Sequence, residues 1–121
     1  MRKLVMPILA ALLTIAPFVT PSADAAVLWW KKVISRSRTQ AGCMRAAAQG
    51  ARGSLSNVRM GSDEVTGTSI DGKVYVAVTC VERGADQRAI AIIAGVGDDS
   101  NWVNQVMQNT AEAVRTSGVP D

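Results

Sequence analysis

The stretch "KVYVAVTCV", residues 73–81, constrains the fold more than any other part of the chain. Val74, Val76, Val78 and Cys80 fall on one side of an extended backbone; Tyr75, Ala77, Thr79 and Val81 fall on the other. That period of two predicts a strand with one strongly apolar face, as in a sheet covered by helices on one side. The strand ends at one of the chain's two cysteines. The other, Cys43, lies in "AGCMRAAAQG", where Gln40, Cys43, Met44, Ala47 and Ala51 recur at helical spacing. A helix packed on the valine face would bring the two thiols together, so a Cys43–Cys80 disulfide is expected. Two buried free thiols are the alternative. A zinc site fits poorly, because the chain has no histidine and only two cysteines. A redox pair fits poorly too, because the spacing is not that of Cys-x-x-Cys.

The disulfide suits the first residues of the chain. Arg2 and Lys3 precede an apolar run from Leu4 to about Val19, and "PSADA" then places Ala23 and Ala25 at the small-residue positions of a signal-peptidase site. Residues 1–25 read as a secretory signal cut between Ala25 and Ala26. A membrane anchor is the competing reading, but Pro7, Thr14 and Pro17 interrupt a run of marginal length. The expected location is outside the cytoplasm, in a Gram-negative periplasm or secreted, where disulfides persist. What remains is one small domain, for which a covalent staple matters because it buries a modest share of its surface.

Along that domain, residues 26–37 ("AVLWWKKVISRS") form a basic and aromatic lead. Its early part has the composition of a strand but no clean period, so it reads as a flexible lead or an extension of the first helix. The single domain then spans 38–121. A helix runs from about Arg38 to Ala51, capped by Thr39 or Ser37 and stopped by "GARGS". "NVRM" is a weak strand; "EVTGTSI" is a better one, joined through Asp71-Gly72 to the valine strand as a hairpin. "RAIAIIAGV" reads as a buried strand of the continuous apolar type. A final helix follows Asp98, Asp99 and Ser100, with Val103, Val106, Met107, Thr110 and Val114 as its inward stripe. The expected fold is α+β: two helices on one face of a small antiparallel sheet of three to four strands, in the order α-β-β-β-α.

Charge is uneven. Seven basic residues and no acidic one fall between Ala26 and Arg59; nine acidic and four basic residues follow. The two halves either pair with each other or present a basic surface to an acidic partner or an anionic membrane. "LWWKK" is the strongest hint of a contact surface, since Trp and Lys suit a membrane interface or a protein hot spot. The expected surface is Trp29, Trp30, Lys31, Lys32, Arg36, Arg38 and Arg45. The alternative is that Trp29 or Trp30 covers an edge of an aromatic-poor core. No nucleic-acid partner is expected, because the basic span lacks interleaved aromatics beyond Trp30. A sheet edge left open could pair two copies into a homodimer.

Catalysis has little support. Without histidine the commonest general base and the Ser-His and Cys-His schemes are absent. Asp98 and Asp99 could bind a cation or serve as acid and base in a small hydrolase, but helix capping explains them more simply. Asp63 and Glu64 read as a turn before a strand. No cofactor or metal is expected, and an inhibitor of a secreted enzyme is compatible with the size alone.

"CMRAAAQGA", "NVRMGSDEVTGTSIDGKVYVAVTCV" and an apolar strand ending "AGVGDD" before an amphipathic helix together resemble small exported bacterial domains to which no function is assigned. The likeness covers roughly residues 38–116. It implies the α-β-β-β-α layout and the helix-to-strand disulfide, and it carries over no catalytic residue. The expected function is that of a non-enzymatic, exported binding or envelope-associated protein.

Overall fold

A computed structural model describes residues 26–120; the signal-peptide reading falls on residues 1–25, outside that range. The described chain is β1 (Val27–Ile34), α1 (Gln40–Ser54), β2 (Ser56–Met60), β3 (Glu64–Thr68), β4 (Tyr75–Val81), β5 (Ile90–Gly97) and α2 (Ser100–Thr116). The strands form one antiparallel sheet of order β1-β5-β4-β3-β2. The described chain starts on one edge, crosses over as α1, begins again on the other edge and meanders back until β5 pairs with β1. Both helices pack on the same face.

The fold class is α+β, but the expected three to four strands and α-β-β-β-α order are wrong: among the described residues there are five strands, and the first precedes α1. The segment taken as a lead is β1, whose eight residues all pair with β5, from Val27 opposite Gly97 to Ile34 opposite Ile90. The "NVRM" segment is the opposite edge, β2. "AIAIIAGV" is not buried on both sides: Ala91 and Ile93 are fully buried, whereas Ile92 is exposed.

The remaining local rules hold. The Thr39 side chain accepts the Gly42 N–H at the start of α1, and that of Asp99 accepts the Trp102 N–H at the start of α2. The β3–β4 hairpin turns on Asp71-Gly72. The Gly72 N–H donates to the Ser69 carbonyl at 2.8 Å, and Gly72 takes a left-handed φ of 74°.

The core lies between sheet and helices. Val65, Val76, Val78, Cys80, Ala91 and Ile93 face it from the strands. The helices supply small and flexible side chains, among them Ala47, Ala48, Ala51 and Met44 from α1 and Val103, Met107 and Val114 from α2. Cys43 and Cys80 are disulfide-bonded with Cα atoms 6.0 Å apart, tying α1 to the end of β4.

Gly50 sits inside α1 because α2 presses on it. A Cβ there would lie 2.8 Å from the Ala113 carbonyl carbon and the Val114 nitrogen, both backbone atoms. Alanine favours a helix interior over glycine by about 1 kcal/mol, yet Gly50→Ala must force the two helices apart. Overpacking costs about 1–3 kcal/mol, so after the propensity gain the variant is expected to lose up to about 2 kcal/mol net. Urea unfolding would measure it; a gain in stability would mean that the helices separate without cost.

Candidate functional site

The seven residues expected to form one contact surface are distributed by the fold over several. Adjacent residues of a strand point to opposite faces, so β1 splits its own pairs. Trp29 and Lys31 lie on the helix side, where the indole Nε1–H donates to Ser100 Oγ at 3.2 Å and Lys31 Nζ donates to Gln108 Oε1 at 2.7 Å. Trp30 and Lys32 lie on the opposite face, which no element among the described residues covers. Arg36 donates to the Gly118 carbonyl at 3.4 Å and so holds the C-terminal segment. Arg38 is exposed just ahead of α1, and Arg45 is exposed on that helix beside Gln49 and Gly118. A different basic group is brought together instead: Lys31, Lys32, Arg36, Arg88 and Arg115 line a shallow groove with Val33 and Ile34. Arg115 is already ion-paired with Glu112 on α2, so the charge asymmetry of the two halves is not resolved through that pair.

The uncovered side of the sheet is the most distinctive surface. Leu28, Trp30, Ile34, Tyr75, Val81 and Ile92 are exposed there, Leu28 and Trp30 each to 66%. Strand register groups them with Ala77, Ala94 and Val96 in one contiguous area over β1, β5 and β4. Contiguous exposed apolar areas are uncommon on folded domains, which makes this one the candidate contact surface. Polar side chains bound it: Thr66, Thr68 and Glu64 on β3, and Arg59 opposite Thr66 on β2.

A second concave region lies where the β3–β4 turn meets the start of α2. Asp71, Lys73, Asp98, Asp99 and Trp102 line it, so the fold adds Asp71 to the acidic pair read from the sequence. Asp99 is engaged as the cap of α2, through a 3.1 Å bond to the Trp102 N–H. Asp71 Oδ1 accepts the Ser69 hydroxyl and the Lys73 N–H. These bonds, that from Ser69 foremost, hold its carboxyl below the ordinary aspartate value. The Trp102 indole N–H is buried and meets no acceptor at hydrogen-bonding geometry. Among the described residues no group of three or more His, Cys, Asp or Glu is placed to hold a metal ion.

The depressed Asp71 titration has a testable sign. A carboxyl that is more acidic folded than unfolded stabilises the fold above its unfolded value of about 4, and that contribution disappears as pH falls through the folded one. The stability gap between the parent and Asp71→Asn is therefore expected to be open at neutral pH and to close in acid. Unfolding curves at several pH values, with an NMR titration of the Asp71 carboxyl, would check it.

Among the described residues no helix is long and apolar enough to cross a membrane. No protein-family model, curated protein or solved structure matches the chain.

Proposed function

We propose that this chain is an exported, non-enzymatic binding protein of the bacterial envelope, and that it binds through the open face of its sheet. The observation that carries the reading is the uncovered apolar area centred on Trp30, Ile92 and Tyr75. Burying such side chains is worth about 25 cal/mol per Å², so a surface like this gains by being covered. The disulfide supports an oxidising location, and the basic, apolar and small-residue order of residues 2–25 supports export there. The proposed contact surface differs from the one expected from sequence: it keeps Trp30 and Lys32 and leaves Trp29, Lys31, Arg36, Arg38 and Arg45 aside.

The full chain expressed in a Gram-negative host is expected in the periplasm with Ala26 as its first residue. A photo-crosslinking amino acid at position 30 or 92 is expected to give adducts there, and one at the exposed helix position 105 is expected to give none. Failure of both face positions to crosslink to anything would discard the open face as a contact surface.

A second reading follows from the groove of Lys31, Lys32, Arg36 and Arg88 beside Ile34. Basic side chains next to exposed apolar ones favour anionic lipid. Flotation of the exported protein with anionic vesicles but not neutral ones, weakened by salt and lost in Trp30→Ala, would support it.

A further inference from the structure

Over β1, β5, β4 and β3 the open face carries one basic and one acidic side chain, at the two ends of a single row; Arg59 on β2 adds a second basic group beyond Thr66. Reading across the sheet, Lys32 pairs with Ile92, Ile92 with Thr79, and Thr79 with Glu64. The next row runs Trp30, Ala94, Ala77, Thr66, and the one beyond it Leu28, Val96, Tyr75, Thr68. Each row is apolar and bulky at its β1 end and polar at its β3 end, except for the first, which runs from basic to acidic.

We infer that the occupant of this face is a second copy of the same chain. The two sheets pack face to face about a two-fold axis parallel to the strands, along the seam between β4 and β5. The inference rests on the reading of the open face as the contact surface, and it names the partner. Such an axis turns every row back on itself. Lys32 of each copy comes opposite Glu64 of the other, giving two symmetric ion pairs. Trp30 covers Thr66 beside Arg59, whose guanidinium suits an indole face. Ala94 comes opposite Ala77, so the smallest side chains lie along the axis and let the sheets approach the usual spacing of about 10 Å.

The dimensions are adequate for a weak dimer. Four strands about 4.8 Å apart and about seven residues long present roughly 450 Å² of planar face per copy. Two copies together cover about 900 Å² of planar face, close to the roughly 1,000 Å² at which specific interfaces begin, as suits weak association. Lipid is a poorer occupant of the same face. Glu64 would meet anionic headgroups of its own sign, whereas in the dimer it meets Lys32 of the other copy.

The test is sedimentation of the exported, processed protein over roughly 1–500 μM, a range that spans weak association. The parent is expected to show a monomer–dimer equilibrium. Lys32→Glu alone places two carboxylates opposite each other and is expected to weaken the dimer about tenfold or more; Glu64→Lys alone acts likewise. The double variant Lys32→Glu/Glu64→Lys restores opposite charges and is expected to return to within about threefold of the parent. Both side chains are exposed, and unchanged thermal unfolding of the diluted variants would verify that each still folds. A parent that stays monomeric throughout overturns the inference. So does a dimer indifferent to Glu64, which would indicate pairing through the free edge of β1. If the monomer still crosslinks to other envelope components or to lipid through position 30, the contact-surface reading stands and only the identity of the partner fails.

Discussion

Replacing both cysteines, as Cys43→Ala/Cys80→Ala, is expected to lower the melting temperature of this domain more than any change on its surface. The bond closes a sequence separation of 37 residues. Chain entropy assigns a loop of that size about 4 kcal/mol of stabilisation. A domain of under 100 residues shifts by about 4–8 °C per kcal/mol, so the loss corresponds to roughly 15–30 °C. The location of the bond strengthens the expectation. It joins the α1 stripe to the far end of β4, and that stripe consists chiefly of alanines and one methionine. Alanine buries little area, so α1 is held to the sheet with little hydrophobic stabilisation per residue. Both sulfurs are buried, and their removal adds a small packing loss to the entropic one. Thermal unfolding of parent and double variant, with and without reductant, would measure the effect. Reductant should bring the parent close to the variant and leave the variant unmoved. A variant melting within a few degrees of the parent would show that helix packing alone fixes α1.

The disulfide was legible in the sequence because both of its partners sit on unambiguous periodic stripes. The same reasoning fails for β1, and the reason is visible in its residues. "VLWWKKVI" places a tryptophan on each face and then a lysine on each face. Doubling each residue type erases the period of two that marks a half-buried strand. Being at an edge, β1 also has only Val33 fully in the core. On the opposite edge, the pairing register shifts between Ser56 and Arg59, and Asn57 takes a positive φ of 54°. A bulge of this kind breaks alternation over a segment only five residues long. The open apolar face was half legible for the same reason. Trp30 and Lys32 were singled out, but nothing local could say that Trp29 and Lys31 would turn toward α2. Tyr75, Val81 and Ile92 join Trp30 only through strand order, which follows from β5 pairing back onto the first strand. Asp71 likewise meets Asp98 and Asp99 through the tertiary fold, 27 and 28 residues along the chain.

Neighbouring isoleucines on β5 offer the sharpest separation of core from contact surface. Ile93→Ala is expected to cost about 3–4 kcal/mol, within the usual range for truncating a fully buried isoleucine. Ile93 has no exposed surface and lies at the middle of the sheet, opposite Val78 on β4 and Lys31 on β1. Side chains of both helices close over that face, so the truncation opens a cavity in the middle of the core. Ile92, one residue earlier, faces the other way and keeps 37% of its surface exposed. Ile92→Ala is expected to cost under about 1 kcal/mol in the dilute monomer, since partly exposed positions without special features lose little. The two variants should therefore reverse order between assays. Ile93→Ala should unfold at much lower denaturant while binding normally wherever it is folded. Ile92→Ala should unfold almost as the parent does while weakening association through the open face. Equal destabilisation by the two would mean that β5 is covered on both sides within one chain, as its unbroken apolar run suggests, and would remove the open face as a surface for any partner.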